Sequence, residues 1–213
     1  MRRSALFVPA VLGLLLTGCS VRGSSFDPTV VVLGSGGEEL GVSTPYGVVY
    51  LGHNVADERV RLVPAFGDGP GVERANSQEV ARGLKLAEAA IELPTVPICF
   101  NAPAPGSTVI VKGRDGVRGW QEEATVASVP GAKGLVLRAD GSLRRRMEAG
   151  VVGPGVYTRD DEGNLLLLGL LDGVFEKDGT NYLAVAGPGH LWRAAAFDKK
   201  LGRTRWVYRE DVL

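Results

Sequence analysis

Few side chains in this chain can do chemistry at neutral pH. It has two histidines, His53 and His190, and two cysteines, Cys19 and Cys99, in 213 residues. A histidine takes and returns a proton near neutrality, so His53, at the end of the apolar run Val48-Val49-Tyr50-Leu51-Gly52, is a candidate general base. A lone histidine at a strand end is otherwise a half-exposed polar residue. His190 precedes Leu191-Trp192-Arg193 and reads as a surface or helix-capping residue. Cys99 sits in Val96-Pro97-Ile98-Cys99-Phe100, an apolar setting that suits an inert buried thiol and not a reactive thiolate. Gly34-Ser35-Gly36-Gly37 has glycines but no following lysine and no helix pattern, so it is a hairpin turn and not a phosphate cradle. No metal or cofactor is expected.

The N-terminus bears on location. Arg2 and Arg3 precede an apolar run from Ala5 to Leu16, too short to span a bilayer and laid out like an export signal. Its ending, Leu16-Thr17-Gly18-Cys19, resembles the lipobox of bacterial lipoproteins. The resemblance implies cleavage after residue 18 and acylation of Cys19, which would hold the chain on a membrane at about 0.8 kcal/mol per buried methylene. Ser20 in place of an aspartate implies the outer membrane of a Gram-negative cell envelope. Residues 19–28 would then be a tether. With Cys19 lipidated, Cys99 has no cysteine partner, and stability must come from the core.

These residues must be held by a scaffold, and its class is legible. Acidic and basic residues balance at 24 each, so no overall field points to a nucleic-acid partner. The chain has 30 glycines and 12 prolines between many short Val/Leu runs, the composition of an all-β protein with frequent tight turns. Strands are expected at Thr29–Leu33, Gly41–Leu51 (broken at Thr44-Pro45-Tyr46-Gly47), Val60–Val63, Thr108–Lys112, Ala124–Val129, Gly134–Arg138 and Tyr182–Ala186. Asn164–Leu171 is nearly all leucine and must be buried on both faces. Asn76–Glu88 admits two readings. Asn76 and Glu79 imitate a helix capping box, whereas Val80–Leu86 reads as a strand, which we take as the assignment. Leu143-Arg144-Arg145-Arg146-Met147 is by default a solvated strand edge; its functional reading is contact with acidic partners or anionic headgroups.

The organising stretch is Met147–Leu171, read as a short strand, a Gly/Pro turn, a strand, a charged turn and a long apolar strand. Gly150-Val151-Val152-Gly153-Pro154-Gly155-Val156-Tyr157 resembles the nucleophile turn of the trypsin-like serine proteases in glycine spacing and in the strand that follows. Val48–Val55 resembles that family's histidine segment, and Val80–Glu88 resembles the strand after its buried aspartate. The resemblance runs from about Thr29 to Phe197 and implies two packed antiparallel β-barrels with a short C-terminal helix, the site lying between them. Residues 29–102 would form the first barrel, 103–198 the second barrel and closing helix, and 199–213 a tail outside the resemblance. By position, His53 is the base equivalent and Glu79 is nearest to the triad acid, although it reads equally as an exposed carboxylate. Val152 occupies the nucleophile position, and valine has no oxygen with which to attack. Trp120 is expected to serve as a core aromatic. The reading is therefore a lipid-anchored, catalytically inactive protease homologue acting as a binding or scaffolding module in the cell envelope, with the cleft as the place for a protein or peptide partner. The alternatives are an active endopeptidase with an atypical site, or a structural β-barrel lipoprotein of the envelope.

Overall fold

The computed structural model describes residues 27–66, 71–81, 83–88, 93–138 and 141–191. The export signal, Cys19 and the tail at 199–213 lie outside the described residues.

Among the described residues, twelve strands form two closed antiparallel barrels of six. The first comprises β1 (Thr29–Gly34), β2 (Gly37–Thr44), β3 (Gly47–Tyr50), β4 (Arg59–Pro64), β5 (Val72–Ala81) and β6 (Leu84–Ala87), closed in the order β1-β2-β3-β6-β5-β4. The second comprises β7 (Thr108–Asp115), β8 (Arg118–Val126), β9 (Leu135–Arg138), β10 (Gly155–Arg159), β11 (Leu165–Lys177) and β12 (Thr180–Ala186), closed in the order β10-β11-β12-β9-β8-β7. This is the all-β double barrel that the resemblance implies. Closure leaves no unpaired sheet edge around either ring. The hairpins at Gly34/Gly37 and Thr44/Gly47 turn at the expected places. The described residues of Asn76–Glu88 hold no helix, but the strand expected over Val80–Leu86 is broken in two: β5 ends at Ala81 and β6 starts at Leu84, the two pairing across a turn at Gly83, whose φ of +68 favours glycine.

Strand alternation sorts side chains between barrel interiors and the seam where the barrels meet. Val48 and Tyr50 point into the first barrel with Val30, Val32 and Leu62. Val49, between them, faces the seam together with Val42, Leu51 and Leu86. The leucine run of β11 serves both the seam and its own barrel. A bulge opposite Val156 and Tyr157 breaks its alternation, so that Leu167 and Leu170 join the seam while Leu168 and Leu171 fill the second barrel. All four are fully buried, each contributing about 1.5–3 kcal/mol by leaving water. Gly169 permits the fit, because a Cβ there would lie 2.5 Å from the carbonyl oxygen of Ala186.

Leu143–Met147 is not a strand edge, and no short strand opens the organising stretch: Gly141–Glu148 is an α-helix, α1, inserted between β9 and β10. Leu143 is buried in the second barrel's core. Arg146 reaches Asp115 and Glu122, the latter at 2.9 Å, with its guanidinium 4.7 Å from the Trp120 ring centre. Arg144 pairs with Glu148 one turn on, at 2.7 Å. Three successive arginines suggest a solvated strand, but helical spacing sends each in a different direction. Trp120 is half-buried and packed against the second barrel's core, its ring so close to Gly113 that a Cβ there would lie 2.3 Å from Cζ2.

Candidate functional site

The chain leaves β3 at Tyr50, buries Leu51, and turns at Gly52 with φ +72 to present His53 and Asn54 to solvent before Val55 dives back into the core. Three side chains hold this loop. Glu39, on β2 and only 4% exposed, accepts the Gly52 N–H on Oε1 at 2.5 Å and the Asn54 N–H on Oε2 at 2.9 Å. Lys85 lays its stem along Gly52 and donates from Nζ to the carbonyls of Ala56 and Asp57. Asp57 accepts the Ser35 hydroxyl at 2.7 Å and the Ser35 N–H at 3.0 Å, and these hydrogen bonds hold its carboxyl below the usual range. The His53 ring points across to the second barrel, where Nε2 lies 2.6 Å from Oδ1 of Asp172.

The turn at 150–153 is shaped by the helix before it. Gly150 N–H donates to the Met147 carbonyl at 3.0 Å and Val151 N–H to the Arg146 carbonyl at 3.3 Å, with Gly150 at φ +88. This pair of bonds around a left-handed glycine is a Schellman cap, the commonest way of closing a helix C-terminus. Beyond it, the Val152 carbonyl accepts the Leu40 N–H of the first barrel at 3.1 Å, and Gly153 N–H donates to the Leu171 carbonyl at 3.3 Å. The Val152 side chain is half-buried against the seam. A cleft of about 210 Å³ opens here, with Val31, Leu40, Val151 and Val152 as its apolar lining and Glu38, Arg114 and Asp115 among its charged groups.

His53 and the Val152 turn are each joined to β11. His53 touches Asp172, the residue after Leu171, and Leu171 holds Gly153. Glu79 stands exposed on β5 opposite Lys85, and it is Asp172 that His53 meets. Cys99 is half-buried, its thiol 3.4 Å from the Asn101 carbonyl. His190 lies in a helical turn over residues 188–191. Among the described residues, no group of three His, Cys, Asp or Glu side chains could hold a metal ion.

Sequence reading missed Asp172 and Glu39. Asp172 left a signal, because it is the acidic residue that interrupts the apolar run Leu165–Phe175. Glu39 left little, since Glu38-Glu39 after a glycine turn looks like a solvated strand start.

Chemically, the His53 imidazole and the Asp172 carboxylate are in contact. Acyl transfer needs backbone N–H groups aimed at the developing oxyanion. In the 150–153 turn the amides of Gly150 and Val151 are bonded to the Met147 and Arg146 carbonyls of α1.

The architecture is shared with solved serine proteases. The human pathogenic astrovirus serine protease superposes with a TM-score of 0.55 at 13% identity, over 76% of this chain and 91% of that one. Rv3671c from M. tuberculosis H37Rv, in an inactive serine-to-alanine mutant form, gives 0.53 at 18% identity, over 94% of this chain and 100% of that one. The serine endoprotease from Yersinia pestis gives 0.55 at 17% identity, over 83% of this chain and 64% of that one. No family model matches the sequence. No curated protein matches it either. At these identities the likeness is one of fold.

Proposed function

We propose that this chain is a serine-protease-fold protein that does not hydrolyse peptide bonds and uses the cleft between its barrels to bind a protein or peptide. The observation that carries this reading is the helix cap at Gly150. Two changes coincide in one turn: Val152 supplies no nucleophile, and the Gly150 amide, the equivalent of one of the family's two oxyanion donors, closes α1 instead of facing the cleft. Losing the nucleophile leaves only weak residual catalysis from oxyanion donors and binding, and here one donor is engaged as well. The cleft itself remains, with apolar walls and a charged rim suited to an extended segment.

The lipobox-like Leu16-Thr17-Gly18-Cys19 supports an anchor at Cys19, in a bacterial envelope and at the outer membrane. The binding module would then work at a membrane surface, tethered by residues 19–28.

The deciding experiment treats the folded protein with a fluorophosphonate probe and a fluorogenic peptide library. No labelling and no turnover are expected; stoichiometric labelling of any serine would overturn the reading. Incorporation of labelled palmitate in an expressing Gram-negative host, lost in Cys19→Ser, tests the anchor separately.

A further inference from the structure

We infer that Glu39 is a positioning residue that fixes the His53 loop and, through its neighbour Leu40, sets that loop against the Val152 turn, so that both walls of the cleft move as one body. This goes beyond the binding reading and holds whether or not the cleft hydrolyses anything.

The ladder between β2 and β3 runs from Thr44↔Gly47 to Gly41↔Tyr50 and stops there. Past Gly41, β2 continues as Leu40 and Glu39, still paired with β1, while the chain leaving β3 curls away to carry His53. Two sets of backbone groups lose their strand partners at this fork. Buried backbone donors are almost always satisfied, so replacements are needed. On the loop side the Glu39 carboxylate supplies them, one oxygen to Gly52 N–H and the other to Asn54 N–H, bracketing His53. On the β2 side the replacement comes from the second barrel, where the Val152 carbonyl accepts the Leu40 N–H. Adjacent residues of one strand therefore hold the two halves of the site.

A carboxylate only 4% exposed is costly to bury unless its oxygens are matched by donors. Here both are matched by backbone amides, so displacing the His53 loop unmakes charge-assisted bonds, whereas displacing the Val152 turn unmakes the neutral Leu40–Val152 backbone bond. Gly52 and Gly153 mark the same fork. Each has a positive φ, and a Cβ would meet the Lys85 stem at the first and the Leu40 carbonyl at the second.

The test compares ¹⁵N-labelled full-length protein with Glu39→Ala and Glu39→Gln by amide hydrogen exchange and by the imidazole ¹⁵N signals of His53. In Glu39→Ala we expect at least tenfold faster exchange at Gly52, Asn54 and Leu40, with Val111 and Leu137 of the second barrel within twofold of the parent. The His53 signals should move to those of Asp172→Asn, reporting loss of contact across the cleft. Glu39→Gln, keeping one acceptor oxygen, should show the same pattern at a smaller amplitude. Acceleration confined to Gly52 and Asn54, with Leu40 and His53 unchanged, would overturn the coupling. Uniform acceleration through the first barrel with His53 still in register would reduce Glu39 to a fold-stability residue and equally overturn it. If Glu39→Ala does not fold, Glu39→Gln decides by the same criteria.

Discussion

His53 on the first barrel and Asp172 on the second meet at 2.6 Å, imidazole Nε2 to carboxylate Oδ1, across the gap between the barrels. The contact is solvent-accessible, with each side chain 43% exposed. It takes up the ring nitrogen that a general base would offer to a nucleophile, and it comes from the strand that also holds Gly153 in place.

Because it is exposed, this pair should add little to stability. Exposed ion pairs typically contribute about 0–1 kcal/mol. Asp172→Asn is therefore expected to shift the urea-unfolding free energy by less than about 1 kcal/mol, and any shift should shrink further in high salt. A loss of several kcal/mol would mean the pair is more sheltered than its exposure indicates.

Restoring the missing oxygen should not restore activity. Val152→Ser places a hydroxyl in the turn but leaves Gly150 N–H bound to α1 and His53 Nε2 on Asp172. A single oxyanion donor is worth about 100- to 1000-fold in turnover, so a site with one donor engaged and its imidazole held on a carboxylate stays near background even with a nucleophile. The expected result is no fluorophosphonate labelling and no measurable peptide hydrolysis by Val152→Ser. Rapid labelling at position 152 would show that the cap at Gly150 opens readily.

The double barrel was legible in the sequence because its signals are local: β-branched runs, glycine turns, and a leucine stretch too apolar for any edge. The site was legible only in part. His53 and the Val152 turn stand beside recognisable strands, and the fold puts the first on Asp172 of β11 and the second in the lining of a cleft with Leu40 of β2. The carboxylates that organise them were not legible, because Glu39 and Asp172 act across 13 and 119 positions of sequence. Helix α1 was missed for a different reason. Its core anchor is a single buried leucine, Leu143, and its stop signal, Gly150, also reads as part of a glycine-rich turn.

Two tyrosines should resist alkaline titration. Burial, opposed by the Ser77 hydrogen bond, pushes Tyr50 up to about 12, and burial pushes Tyr157 higher still. A raised tyrosine pKa keeps the folded state protonated where the unfolded chain has ionised. Its stabilising effect is therefore complete below the unfolded value of about 10 and is lost as pH rises from there through the folded value. Absorbance at 295 nm should show Tyr50 and Tyr157 ionising only with unfolding, and stability should fall as pH is raised from about 10 to 12. Ionisation of every tyrosine near pH 10 in a still-folded protein would contradict the burial of both.

The two glycines of the turn should differ sharply when replaced by alanine. Gly150 has φ +88 and open space where a Cβ would go, so Gly150→Ala meets only the backbone cost of the left-handed region, about 1 kcal/mol. Gly153 has φ +79, and its Cβ would lie 2.3 Å from the Leu40 carbonyl oxygen, part of a backbone that cannot swing aside as a side chain can. Gly153→Ala must push β2 and the turn apart, straining the Leu40–Val152 bond next to Glu39. Backbone strain of that kind belongs to the severe class of substitutions, and a loss of about 3 kcal/mol or more is expected. Chemical denaturation of the two variants side by side measures the difference. Equal losses would mean that the barrels separate at the turn without cost, and that the close approach of Gly153 to Leu40 does not constrain the cleft.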